Sequence, residues 1–479
     1  MSNLLATLAA AGNALDVFQQ GLATTSNNIN NASTPGYAKQ TLNLEALPFD
    51  ITSSVAGGVG TAGLSDSRNQ YAEESVQQQT QTLGLYTAQS QATATLQSLF
   101  DVSGSSGVSG ALQNLFQSFS AWSVTPDDST LRQGVLNSAN ALAQSFNGLD
   151  SALVQQGASL DSQIAGTVTQ INTLAQQVQQ YNVQHGQDRT PDPGAEAQLY
   201  SALDSLSQLV NFTTVTQSDG SISVMLSGGQ PLVIGSQVYD LTAQAAVNQN
   251  PPPANPLSPQ TDQILDSDGN DVTAEITSGQ LGGLLNVRNQ LLASIIGDGQ
   301  QQGSLNQLAE GLAGTVNTIL QSGTVSATAG AAAGSPLFTF DNTNPTNVAA
   351  SLSLNPNITT AQLAPVDAAG NFNGNANQLA ALADPTGATG TIGGQTYIQY
   401  FGDIAAAIGQ ENSNASANQT TQQQVVAQAT SLRDQVSGVS LNEQAVDVMQ
   451  FQEAYQATAQ VLTVLGNLTD TIINLIQPY

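Results

Sequence analysis

The two ends of the chain carry the same spacing. From Leu4, apolar or small side chains recur at Leu8, Ala11, Leu15, Phe18, Leu22, Thr25 and Ile29. At the other end Val448, Phe451, Tyr455, Thr458, Leu462, Leu465, Thr469, Ile472 and Ile476 keep the same alternation of four and three. Such steps put one stripe along one face of a helix and suit knobs-into-holes packing against a second helix. An ordinary core helix also produces apolar periodicity, but helices at extreme termini fray unless something docks them. The two stripes therefore predict that the termini meet, with the rest of the chain inserted between the halves of one coiled-coil base.

At 479 residues there is room for about two to four domains and for substantial cores. Charged residues are only 8% of the chain, so Gln, Asn, Ser and Thr must wet the surface. The six basic residues, Lys39, Arg68, Arg132, Arg189, Arg288 and Arg433, stand singly against 34 acidic ones, for a net charge of −28. A field of that sign repels phosphate backbones and anionic lipid, so neither nucleic acid nor a membrane surface is expected as a partner. The absence of cysteine removes disulfides, thiolate metal sites and thiol nucleophiles together. The first basic residue is Lys39, and the apolar residues before it form a helix face rather than a continuous run. Neither a secretory leader nor a membrane span is expected, so a route out of the cytoplasm would have to be a different one.

Along the chain, Asn30, Asn31, Pro35 and Gly36 supply helix-stop and turn chemistry before a short extended stretch, and Gly57 to Gly60 read as a second break. Val76, Leu83, Leu96, Leu99 and Phe100 mark a long helix, and Leu112, Leu115, Phe116, Phe119 and Trp122 another. Pro126 with Asp127 and Asp128 reads as a helix start, and Leu131 to Tyr181 as mostly helical. The period then changes. Alternating β-formers flank an Asp219-Gly220 turn, a hairpin signal, with two further strands after it. The prolines from Pro251 to Pro259 mark a loop or linker. A helix pair follows, then a stretch from about Gln321 to Tyr400, rich in Ala, Gly, Asn and Thr, that reads as a second β-rich part. Helical spacing returns from Ile404 and breaks at Gly438 before the last helix.

No catalytic constellation stands out. His185 is the single histidine, and without a partner of known type it reads as a solvated or capping side chain rather than a member of a triad. In Asp266 to Asp271, Gly269 falls fourth and Glu275 tenth, whereas a calcium loop needs glycine at the sixth position and a bidentate glutamate at the twelfth, so a plain turn is favoured. The neighbouring pairs Asp127 with Asp128 and Glu73 with Glu74 read as solvated helix surface, not as an acid-base pair. The double glycines at Gly282 and Gly393 lack the strand context and the lysine of a phosphate loop. No catalytic, cofactor-binding or metal-binding residue is assigned.

The segments that remain carry a resemblance. ATTSNNINNASTPGYAKQ, from Ala23 to Gln40, and VSGVSLNEQAVDVMQFQEAYQATAQVL, from Val436 to Leu462, resemble the terminal signatures of the flagellar rod, hook and hook-associated axial proteins. Three internal segments, FQSFSAWSVTPDDSTLRQGVLNSANALAQSF, TTVTQSDGSISVMLSGGQPLVIGSQVYDL and SGQLGGLLNVRNQLL, are similar to the branch of that family found where hook meets filament. The resemblance covers most of the chain except about Pro251 to Leu265 and Gln321 to Tyr400. It implies terminal helices that pair into the inner tube of a helical assembly, and export unfolded through the flagellar type III apparatus. The implied partners are further copies of the chain, hook protein, a second junction protein and an export chaperone. The β-rich middle is short for the family, so the outermost domain is expected to be reduced.

The expected fold class is therefore α+β and multidomain: paired terminal coiled-coil helices (residues 1–40 with 440–479), a long-helix bundle (41–210, 279–320 and 401–439) and an inserted, mainly β outer part (211–278 and 321–400). The expected function is a structural adaptor, secreted to the hook–filament junction of the extracellular flagellum, with no catalysis and no cofactor. A hook or rod protein, and a flagellum-associated wall hydrolase, are the alternatives. Assembly contacts are expected at Leu8, Leu15, Phe18, Leu22 and Ile29 near one end and at Phe451, Tyr455, Leu462, Leu465 and Ile472 near the other.

Overall fold

A computed structural model describes residues 2–50, 55–102, 106–187, 192–245, 261–298 and 301–476. Helix α1 (Ser2–Asn30) turns through residues 31–39 into a long antiparallel hairpin, β1 (Gln40–Asp50) and β2 (Val55–Asp66). This hairpin departs from the expectation of a short extended stretch. Gly57 to Gly60 lie inside β2 and do not break the chain, because residues without side chains let the strand lie close along α1.

The body begins with α2 (Gln70–Gln97), where the Asn69 side chain caps the first turn by accepting from the Ala72 amide. Helix α3 (Gly107–Val124) precedes α4 (Ser129–Gln187), which at 59 residues is roughly 90 Å long. It starts just after the predicted Pro126, because the Asp128 carboxylate accepts from the Thr130 and Leu131 amides, and these bonds hold its pKa below the usual value. Along α4, Leu142, Phe146, Leu153, Leu160, Ile164, Ile171 and Val178 are fully buried in one seam facing α3, α5 (Pro193–Leu209) and the strands that follow. Near its start, buried Trp122 donates from Nε1 to the Pro126 carbonyl at 3.0 Å.

The Asp219-Gly220 signal gives the expected hairpin between β3 (Phe212–Thr216) and β4 (Ile222–Leu226). With β5 (Pro231–Ile234) and β6 (Gln237–Val238) they form an antiparallel sheet in sequential order, followed by a separate hairpin of β7 (Thr242–Ala245) and β8 (Asp262–Leu265). The prolines from Pro251 to Pro259 lie outside the described residues. Next come α6 (Gly279–Asn286), a π-helical turn over Val287–Leu292, α7 (Ala293–Ile296) and α8 (Ser304–Gln321).

Beyond α8 the β-rich expectation changes. The strands β9 (Phe338–Thr339), β10 (Ser353–Leu354), β11 (Thr391–Ile392) and β12 (Gln395–Thr396) are two residues each, interleaved with short helices α9 (Val348–Ser351) and α10 (Gly374–Ala381). They pair only among themselves, β9 with β10 and β11 with β12, and never join the β3–β6 sheet. Buried Phe338, Val348, Leu352 and Leu379 belong to the same hydrophobic core as the helices, and α9 and α10 rest on α3, α4 and α8. Isolated β-prone dipeptides in an Ala/Gly/Asn background lack the alternation that extends a strand, so burial against the helices decides the path. Helix α11 (Tyr397–Ser437) then runs back along α2 as an extensively packed pair, and α12 (Leu441–Ile476) returns to α1. The architecture is α+β with several helical layers and small sheets, as the sequence predicts.

Candidate assembly interface

The terminal helices do meet. Helix α12 packs along α1, and the tightest point is Gly21, where an added Cβ would fall 2.6 Å from the Phe451 ring. Glycine at that position is what lets the aromatic ring lie against the α1 backbone. Just beyond, Asn28, 1% exposed, makes four hydrogen bonds. Its Nδ2 donates to the Gln40 carbonyl and to Gln444 Oε1, both at 2.8 Å, while its Oδ1 accepts from the Gln40 amide at 2.9 Å and from the Tyr37 hydroxyl at 2.8 Å. The two terminal signature segments are thus joined side chain to side chain. Lys39 reinforces the join through Glu443 at 3.1 Å.

The residues expected at the assembly contact divide. Leu8, Leu15, Phe18 and Leu22 are half-buried and Ile29 is 38% exposed, whereas the buried face of α1 consists of Ala11, Val17, Gly21, Thr25 and Asn28. On α12, Phe451, Leu462, Leu465 and Ile472 are half-buried and Tyr455 is 37% exposed. The side chain of Ile476 lies outside the described residues. One α12 therefore covers only part of the predicted α1 stripe, and small residues rather than leucines occupy the closest contact. Helix α12 also bares Val446, Met449, Val461, Val464 and Leu468 on its far side.

Between this terminal pair and the body lies a knot that the sequence reading missed. The Ser437 carbonyl accepts from the Lys39 amide and the Ser67 hydroxyl, and its own hydroxyl accepts from the Asn69 amide, so the α1–β1 turn and both passages of the chain into the body, β2 to α2 and α11 to α12, are tied at one residue. Next to it the Arg68 guanidinium lies 3.6 Å from the centre of the Tyr200 ring and donates to Glu73 at 2.8 Å, Glu196 at 3.2 Å and the Gly36 carbonyl at 2.8 Å. Gly36 has φ of +73°, and a Cβ there would meet the Ala197 carbonyl of α5 at 2.2 Å, so the turn docks on α5 only as glycine. Glu73, read from sequence as solvated surface, is 4% exposed and also approaches Arg433, which reaches Asp204 at 3.0 Å. Burial, and then a side-chain hydrogen bond with Asp66, push the Glu196 carboxyl up to about 7.

The remaining polar motifs serve structure. His185 stacks on Tyr181 with ring centres 5.7 Å apart. The Asp266 carboxylate accepts from the Asp268 and Asn270 amides within a turn. At Gly283 an added Cβ would fall 2.5 Å from the Leu85 carbonyl, so Gly283 is the crossing point of α6 on α2, while Gly282 lies against the Ile276–Thr277 backbone. No group of three or more His, Asp or Glu side chains that could hold a metal ion occurs among the described residues, and no described helix is long and apolar enough to cross a membrane.

The family description "Flagellar hook-associated protein FlgK helical domain" matches residues 93–338, just over half of the chain. The chain belongs to the FlgK family. At its ends, residues 8–37 match "Flagella basal body rod protein" and residues 433–475 match "Flagellar basal body rod FlgEFG protein C-terminal", the two segments joined by Asn28 and Gln444. Flagellar hook-associated protein 1 of Salmonella typhimurium is 29% identical over 288 residues, covering 58% of this chain and 50% of that protein. The Bacillus subtilis protein of the same name is 26% identical over 196 residues, 39% of each chain. The chain thus spans about half the length of the Salmonella relative. The fold also matches the flagellar hook junction protein FlgK from Burkholderia pseudomallei, with a TM-score of 0.61 at 19% identity, over 76% of this chain and 100% of that one.

Proposed function

We propose that the chain is a structural adaptor between flagellar hook and filament, secreted to the outside of the cell and without catalytic activity. The observation that carries this reading is the combination of a FlgK-type helical body with two rod-type terminal segments docked on one another through Asn28 and Gln444. The terminal base, residues 1–40 with 440–479, stacks copies into a ring or tube, and its incompletely covered stripes, with Leu8, Leu15 and Leu462 half-buried and Ile29 and Tyr455 exposed, meet neighbouring copies. A head-to-tail interface of this kind generates open helical arrays, which is what an axial element requires. Hook protein lies on one side and a second junction protein on the other, and an export chaperone covers the C-terminal helix before secretion. The body, with its short strands, faces outward.

A polar groove of about 820 Å³ lies between the 27–37 segment and α4 and α5, lined by Asn27, Asn31, Gln177, Gln180 and Gln184 among others. Deleting the gene should leave hooks intact, abolish filaments and release unassembled flagellin into the medium. Filaments of normal length on the deleted cells would refute the assignment. The rod-type matches at the two ends favour a hook or rod subunit as the second reading. Protein located along the rod or the hook shaft of isolated hook-basal bodies, rather than at the hook tip, would support it.

A further inference from the structure

We propose that the groove between α4 and α5 receives helix α11 of a second copy, so that neighbouring bodies join side by side through amide and hydroxyl side chains rather than ion pairs. This contact presupposes the stacking of copies described above and locates where their bodies meet. Charge limits where such a contact can lie. The chain carries 34 acidic against six basic residues, and like charges brought face to face oppose association. Lys39, Arg68, Arg132, Arg288 and Arg433 are each engaged inside the subunit, with Glu443, Glu73, Asp127, Asp161 and Asp204 respectively, and Arg189 lies outside the described residues. Copies therefore approach most closely where both faces are uncharged.

The groove and the outer side of α11 meet that condition. In the groove, Gln177, Gln180 and Gln184 on α4 and Gln198, Ser201 and Ser205 on α5 recur in matching steps of three and four, with Leu174 and Tyr181 as apolar lining. The four glutamine amides have no hydrogen-bond partner within the chain among the described residues, so each can donate and accept across a contact. On α11, residues 412–432 contain no charged side chain. Its inner face is used within the subunit: Ala415 and Ala429 are buried, and Gln419 and Gln422 donate to Thr87 and Gln79 of α2. Asn414, Asn418, Thr421, Gln424, Gln428 and Leu432 recur at helical steps on an exposed side, and Leu432, 55% exposed, offers an apolar anchor for Leu174 and Tyr181. The two faces stand at opposite ends of a row of helices, since α5 packs between α4 and α2 and α11 packs on α2 in turn. Asp204 of α5 reaches Arg433 of α11 at 3.0 Å, which places the groove and the last turns of α11 at one height along the body. A second copy displaced sideways along the row brings its α11 to the groove of the first, a head-to-tail contact that repeats instead of closing on a pair.

The chain has no cysteine, so reactive pairs can be placed without background. Gln184→Cys on α4 and Gln428→Cys on α11 are both at exposed positions. The full-length protein carrying both, treated with a short bismaleimide either concentrated in solution or in isolated flagella, should yield dimers and higher multimers. Either single variant should stay monomeric. The yield should hold or rise between about 20 and 500 mM NaCl, because salt screens the repulsion between copies and weakens no ion pair across the contact. In the double-cysteine protein, Gln424→Glu should reduce the multimers at unchanged helical content, and Gln180→Lys added to it should restore them. Gln133→Lys, which makes the same change in net charge near the start of α4, should not. A double-cysteine protein that stays monomeric in both settings would overturn the proposal. So would a yield that falls with salt, single variants that cross-link equally well, or a lysine at 180 that rescues no better than one at 133. Multimers in solution from a chain absent from the hook tip would refute the adaptor reading and leave this contact standing.

Discussion

Asn28 shows how much a single side chain can hold. Both of its amide protons and both acceptor positions of its oxygen are in use, and the four bonds run to the entry of β1, to Tyr37 and to α12. Asn28→Ala would leave the Gln40 amide and carbonyl unpaired in a site closed to water, and each orphaned group costs about 1–3 kcal/mol. The expected result is faster amide exchange at Gln40 and in the first turns of α12, with the body's exchange unchanged. A variant as protected as the parent at Gln40 would show that water or a neighbour takes over the role. Asn28 could not be picked out from sequence, because asparagine near a helix end reads equally well as a stop signal. Glu73 was hidden for a related reason: beside Glu74 it looks solvated, and only the three-dimensional approach of Arg68 and Arg433 makes its burial tolerable. Apolar periodicity reveals what a residue avoids; it does not reveal which distant polar partner satisfies it.

At the scale of elements, the long seams were the legible part. The α4 spacing and the Asp219-Gly220 hairpin follow from period and turn chemistry alone, and so does the pairing of α1 with a terminal partner. The face of α1 was legible only in part, since the pattern weighs leucines while the closest contact is made by Gly21 against Phe451. The α2–α6 crossing was not legible at all. Glycine inside a helix costs about 1 kcal/mol relative to alanine, so Gly282 and Gly283 weaken α6 locally, and at Gly283 the gain lies in close approach to α2. Gly283→Leu tests this directly, because its Cβ would have to displace the Leu85 backbone carbonyl and the Ala88 side chain. Overpacking against groups that cannot move should lower stability by about 1–3 kcal/mol or more, read as a lower urea midpoint. Gly314→Leu on α8, where nothing lies within 4 Å, should shift the midpoint little and controls for side-chain size.

At the scale of the whole molecule, the body and the terminal pair differ in how they are held. In the body, α4 alone buries a continuous row of large side chains, and the same core extends from Ala88 to Ile408. Among the described residues the terminal pair has no comparable core. Most of its large apolar side chains are half-buried or exposed, and α1 and α12 reach the body through the hairpin and the Ser437 knot. Segments with few buried apolar contacts open at low free energy, and isolated helices are marginal in water. Limited proteolysis of the purified chain should therefore remove residues within 2–30 and 441–476 first and leave a resistant body. In an assembly the bared residues of α12, Val461 and Val464 among them, would be covered by neighbouring copies, which supplies the burial that one subunit lacks. Leu462→Asp places a charge in the half-buried seam, where an unpaired carboxylate is costly. It should leave the proteolytic core and its melting temperature unchanged while abolishing incorporation at the hook tip. The two readouts separate the possibilities. A melting temperature that falls with Leu462→Asp would mean that the terminal pair already contributes to the folded subunit, and normal incorporation would mean that this seam is not the assembly contact. Termini as resistant as the body in the free chain would equally contradict a base that is completed only by its neighbours.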